Sequence, residues 1–174
     1  MSEPTVVFQG RRFTVVRKNV RAADGTEHVH ESVQHPGAVA IIPMVDDGHV
    51  CLIRNCRPAV DQVLLELPAG TLEPGELPIH TARRELEEET GYRAESIEPL
   101  GQFFMSPGIL NERMHLYLAT GLRAGSTNLD AGEQIENDVV TWADAVAMCH
   151  DGRIQDAKSL VGILLYDSVR CRRS

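Results

Sequence analysis

"GTLEPGELPIHTARRELEEETGY", residues 70–92, decides how this chain is read. Its second half predicts a helix: Pro78 suits a first turn, Ala82 and Leu86 start an apolar stripe, and Gly91 marks the stop. Glu85, Glu88 and Glu89 fall at i, i+3 and i+4, so the helix projects all three carboxylates from one face. Like charges at that spacing cost roughly a few tenths of a kcal/mol per pair. A solvated acidic face is one account of them. The other is a divalent-cation site. The apolar stripe runs beside the glutamates, the Gly- and Pro-rich "LPAGTLEPGE" bends toward the helix start, and clustered carboxylate oxygens are what a hard cation takes.

The rest of the chain sets limits on this reading. With 174 residues, 43% hydrophobic and 24% charged, it has the size and make-up of one globular domain able to bury a core. No apolar run approaches the roughly 18 residues that span a bilayer. Arg11, Arg12, Arg17 and Lys18 in a mixed N-terminus argue against a signal peptide. Cys51, Cys56, Cys149 and Cys171 lack the spacing of a zinc or redox motif, so reduced thiols in the cytoplasm are expected. A net charge of −8 disfavours nucleic acid as a partner and means that an anionic ligand needs a cation to bring it in.

Along the chain, residues 5–36 alternate apolar and polar around Asp24-Gly25 and predict an antiparallel hairpin. "GAVAIIPMV" (37–45), the turn "DDGH" and "VCLIRNCR" (50–57) predict a second hairpin of buried strands. "VLLELPAG" reads as a short strand ending at Pro68. Past the helix come strand-like "IEPLGQFFMS", the loop "PGILNER", the strand "MHLYLAT", a polar stretch (121–138), "VVTW", and helical spacing in "ADAVAMCHDG" and "DAKSLVGILLYDSVRC". His28, His30 and His35 form a cluster, but strand alternation puts only the first two on one face, so a metal site there is disfavoured.

From Gly70 the pattern runs through Glu76 to Arg84-Glu85-Leu86-Glu87-Glu88-Glu89-Thr90-Gly91, and only Tyr92 departs from the aliphatic residue expected there. This resembles the Nudix box. The resemblance implies that Glu85, Glu88 and Glu89 hold Mg²⁺ (or Mn²⁺ or Zn²⁺), with the Ala69 carbonyl as a further ligand. It gives Arg84 a structural pairing with Glu76, and Gly70 and Gly91 places in the loop and at the helix end. Glu73 is either a further ligand or solvated. The implied reaction is attack of water on phosphorus in a nucleoside diphosphate linked to another moiety.

Outside the box, Pro107 lies 15 residues after Tyr92. With "HPGAVAI", "RNCRPAV", "LLELPAG", "SPG" before Glu112, and "GRIQDAKSL", residues 31–166 are similar to ADP-ribose pyrophosphatases. That likeness implies an α/β Nudix fold, a mixed sheet between helices spanning residues 37–174, with an antiparallel β-rich extension over residues 1–36. It implies hydrolysis of ADP-ribose to AMP and ribose 5-phosphate. Arg57 would be the phosphate contact, with Arg54 as a second candidate, Glu31 near the adenine, and Pro107, Gly108 and Glu112 in the loop over the ribose phosphate. The base would be Glu133, with Glu136 or a metal-bound hydroxide as alternatives. A homodimer with exchanged N-terminal strands is also implied. Two alternatives stand beside this: a diphosphatase for ADP-sugars or GDP-mannose, and a non-catalytic module that binds an ADP-ribose-like effector. The complete acidic set favours an enzyme.

Overall fold

The computed structural model describes residues 3–129, 132 and 134–172. The chain has α/β architecture with three helices among ten strands in the described residues. The N-terminal region is a three-stranded antiparallel sheet of β1 (Thr5–Gln9), β2 (Thr14–Arg21) and β3 (Glu27–Gln34). The expected hairpin around Asp24 and Gly25 is its β2–β3 half. Gly25 adopts φ +89° there, a conformation that favours glycine, and Asp24 accepts the Thr26 N–H at 2.9 Å. Beyond that hairpin, β1 adds to the outer edge of β2.

The hairpin predicted between residues 37 and 57 does not form. β4 (Ala38–Pro43) and β5 (His49–Arg57) touch through one bridge, Met44 to Val50, and then separate into different sheets. β4 lies between β7 (Ala69–Thr71) and β9 (Arg113–Ala124), parallel to the latter, and β8 (Tyr92–Phe104) completes that sheet. β5 lies between β6 (Gln62–Glu66) and β10 (Ile135–Thr141). The physical reason is burial. All six residues of β4 are buried, and both its edges are paired, so no edge remains for β5.

Alternation along β4 divides the core in two. Val39 and Ile41 pack with Ala82 and Leu86 of α1 (Pro78–Thr90), together with Tyr117 and Ala119. Ala38, Ala40 and Ile42 face the opposite way, toward Leu52, Leu67, Trp142, Ile154 and Ile163. That second cluster includes residues of α2 (Trp142–His150) and α3 (Ala157–Arg170). A mixed sheet between helices is thus the central body, as expected. Gly162 lets α3 come close: a Cβ there would sit 2.7 Å from Leu67 Cδ1. No described helix is long and apolar enough to cross a membrane.

Candidate active site

The helix at the centre of the site ends as its sequence predicts. Pro78 occupies the first turn, where its missing N–H costs nothing. Gly91 closes the helix at φ +74°, its N–H bonded to Glu87 O. Between these ends, Glu85 and Glu89 reach β7 at Gly70 and Ala69, while Glu88 turns onto Arg84.

Arg84 resolves much of the repulsion expected among the glutamates. Its Nη1 donates to Glu85 at 2.8 Å and to Glu88 at 2.9 Å, and its Nη2 donates to Glu76 at 3.2 Å. Burial pulls the Arg84 guanidinium toward neutrality, but the surrounding carboxylates outweigh it and raise its pKa. The hydrogen bond from Arg84 in turn holds Glu76 below the usual carboxylate range. One side chain thus ties the loop to the helix and gathers two of the three acidic groups. Glu89, 5% exposed, accepts the Ala69 N–H at 2.9 Å. Gly70 makes room for Glu85: a Cβ there would fall 1.9 Å from the Glu85 carboxyl carbon.

As they stand, with Glu85 and Glu88 turned onto Arg84, the acidic side chains of the described residues do not converge as a ligand cluster. The donor set nonetheless suits a hard divalent cation. It is all oxygen, it lies on one helix face, and it presses on a loop bare of side chain at Gly70.

These groups line a cleft of about 680 Å³ together with Arg57, Thr71, Glu73 and the β1–β2 turn. The turn brings Arg11 and Arg12, which form no ion pair among the described residues. The sequence alone marks these two only as N-terminal charges. Their signal was present in the paired arginines next to Gly10, but nothing local says that the extension folds back over the acidic helix. A second cavity of about 340 Å³ shares Arg57, Ala69, Gly70 and Thr71 with the first, and reaches Met105, Glu112 and Lys158.

Arg57 itself is fixed by Glu66, through Nε to Oε1 at 2.8 Å and Nη2 to Oε2 at 2.6 Å. That hydrogen bonding raises the arginine pKa, so it stays a cation. Arg54 points elsewhere: it pairs with Asp138 of β10 at 2.5 Å and lines neither cavity. Glu31 lies on exposed β3, paired with Arg17 at 2.6 Å, and also lies outside both cavities.

Pro107 and Gly108 sit in the loop from 105 to 112, which the end of β3 holds in place. Val33 N–H donates to Ile109 O at 2.8 Å, and His35 N–H to Asn111 Oδ1 at 2.7 Å. Glu112 in the same loop is 3.5 Å from His35 Nδ1. Of that loop, Met105 and Glu112 reach the second cavity, while Pro107 and Gly108 do not line it. Glu133 lies outside the described residues. Glu136 stands on β10 opposite Arg54, away from both cavities. His28 and His30 are exposed on β3, with His28 bonded to Thr26, and they join no metal cluster among the described residues.

With this geometry in hand, the chain can be placed. The NUDIX domain family matches residues 34–160, so the protein belongs to that family. It is 36% identical over 159 residues to the ADP-ribose pyrophosphatase of Bacillus subtilis (strain 168), covering 90% of this chain and 86% of that protein. It is 35% identical over 164 residues to the ADP-ribose pyrophosphatase of Mycobacterium tuberculosis (strain ATCC 25618 / H37Rv), covering 92% of this chain and 79% of that one. Its fold also matches a crystal structure described as an ADP compounds hydrolase, with TM-score 0.85 and 26% identity over 100% of this chain and 97% of the other.

Proposed function

We propose that this protein is a Nudix hydrolase that cleaves the diphosphate of ADP-ribose to AMP and ribose 5-phosphate. The observation that carries the reading is the carboxylate face of α1, set against the side-chain-free Gly70 and opening into a cleft that also holds Arg11, Arg12 and Arg57 beside Glu73. The relatives named ADP-ribose pyrophosphatase direct the choice of substrate.

Glu85, Glu88 and Glu89, with the Ala69 carbonyl, would hold Mg²⁺, with Mn²⁺ or Zn²⁺ as substitutes. When bound, such an ion neutralises charge on phosphoryl oxygens and makes a water more acidic. Arg57 binds the diphosphate as a cation already oriented by Glu66, and Arg11 and Arg12 bring further positive charge to an otherwise acidic protein. Arg84 keeps the acidic groups and the loop in register. Glu133 is the proposed base, since Glu136 lies away from both cavities. Glu112 and the Pro107–Gly108 loop would face the ribose phosphate. The four cysteines are free thiols, in keeping with a cytoplasmic setting.

A panel of nucleoside diphosphate and triphosphate compounds with Mg²⁺ tests the substrate. ADP-ribose is expected to give the highest kcat/KM, with ATP and 8-oxo-dGTP poor. A triphosphate at the head of the panel would overturn the substrate and leave the family untouched. ADP-sugars or GDP-mannose at the head would favour the nucleotide-sugar reading, and binding without turnover would favour a regulatory module.

Gly70→Ala tests the loop. The added Cβ forces Glu85 to move, and misplacement of about 1 Å in a catalytic group costs on the order of 10²-fold. Turnover should fall by about that factor while the melting temperature shifts by only a few degrees. Wild-type turnover in this variant would mean that the position of Glu85 does not matter.

A further inference from the structure

Glu66 is fully buried, and its carboxylate is shared. Arg57 takes both oxygens, while Lys158 Nζ donates to Oε2 at 2.5 Å from the first turn of α3. Lys158 is itself buried and lies 2.9 Å from Asp156, the residue that caps α3. Ser159 Oγ accepts the Leu67 N–H at 2.7 Å, so the same helix turn holds the backbone two residues before Ala69. Two carboxylates and two cations therefore sum to zero in one wall of the second cavity, and Arg57 carries that group's edge into the first. Arg57 is the member with substantial exposure, and its Nη1 makes no hydrogen bond among the described residues.

We propose that Lys158 is a positioning residue for substrate binding: by sharing Glu66, it keeps Arg57 from being fully neutralised and presents the guanidinium to the diphosphate. This rests on the hydrolase reading above. Without the ammonium, Glu66 has one partner, the wall carries a net negative charge, and Arg57 is drawn back onto it. An anionic substrate then meets a weaker cation, while the carboxylate face of α1 is untouched. The effect belongs in binding and leaves the chemical step alone.

The test uses the full-length protein with ADP-ribose and Mg²⁺, comparing wild type, Lys158→Met, Glu66→Gln and the double variant Glu66→Gln/Lys158→Met, each checked for folding by circular dichroism and melting. Lys158→Met is expected to raise KM about tenfold, with kcat within about threefold of wild type. The double variant removes one charge of each sign and restores neutrality, so its KM should return toward wild type.

A merely structural lysine gives the opposite pattern: losses that add in the double variant, or a fall in kcat at constant KM. Either result overturns the proposal. Should Lys158→Met fail to fold, the charge-balanced double variant set against Glu66→Gln decides. Equal KM in Glu66→Gln and wild type, together with a raised KM in the double variant, also overturns it. If wild type does not cleave ADP-ribose, the functional reading fails on its own. The inference is then read from calorimetric affinity for inorganic pyrophosphate, where Lys158→Met should again bind about tenfold more weakly and equal affinity refutes the role.

Discussion

Glu85→Gln and Glu89→Gln are expected to turn over ADP-ribose at least about 10²-fold more slowly than wild type at saturating Mg²⁺, the scale of losing a main electrostatic contributor. The two substitutions act on different surroundings. Glu85 rests on Gly70 and Arg84, whereas Glu89 is buried and receives the Ala69 N–H. Glutamine keeps the shape and can keep accepting those hydrogen bonds, so the melting temperature should change little. What it loses is charge. Weaker binding of Mn²⁺, followed by its paramagnetic relaxation of water, should accompany the kinetic loss. Near-normal turnover in both variants would remove the metal assignment.

A second large effect is expected from the N-terminal sheet. Val6, Val7, Phe8, Phe13 and Val29 are exposed there, and every residue of β1 is exposed. Three strands are too few to bury a core alone, so these side chains are proposed to pack on a second copy of the chain. Deleting residues 1–36 should abolish a homodimer and raise KM by about tenfold or more, since it also removes Arg11 and Arg12 from the cleft. In the exchanged arrangement, Glu31 would serve the neighbour's adenine site. Val6→Asp/Val29→Asp separates the two consequences, because it places a charge on each face of the sheet and leaves both arginines. Light scattering should report a monomer for either variant and a dimer for wild type. A fully active wild-type monomer of 19.2 kDa at micromolar concentration would refute the arrangement.

How much of this was legible depended on the range of the interactions. The helix and its ends could be read because Pro78 and Gly91 act locally, and the three glutamates share a face by spacing alone. The pairing of Arg84 with Glu76 was also within reach, eight residues apart on one loop and helix. The partner of β4 was not. A buried apolar run says that a strand is covered on both faces, but not which strand lies beside it, and β9 arrives more than seventy residues later. The Glu66–Lys158 contact spans 92 residues. Neither residue carries a pattern of its own, so this wall of the cleft emerges only when the chain is folded. Arg11 and Arg12 escaped for the same reason, their role depending on where a turn lands.

The close seat of α3 against Leu67 also bears on how the protein is made. Lys158 and Ser159 are synthesised 92 residues after Glu66 and Leu67, yet they hold the wall beside Ala69, and Gly162 permits the approach. A nascent chain that has already emitted the whole acidic helix therefore lacks a finished cleft until α3 has left the ribosome. Catalytic competence would arrive only once α3 has emerged, and chains stalled before residue 157 would accumulate with the carboxylate face formed but Glu66 deprived of its lysine.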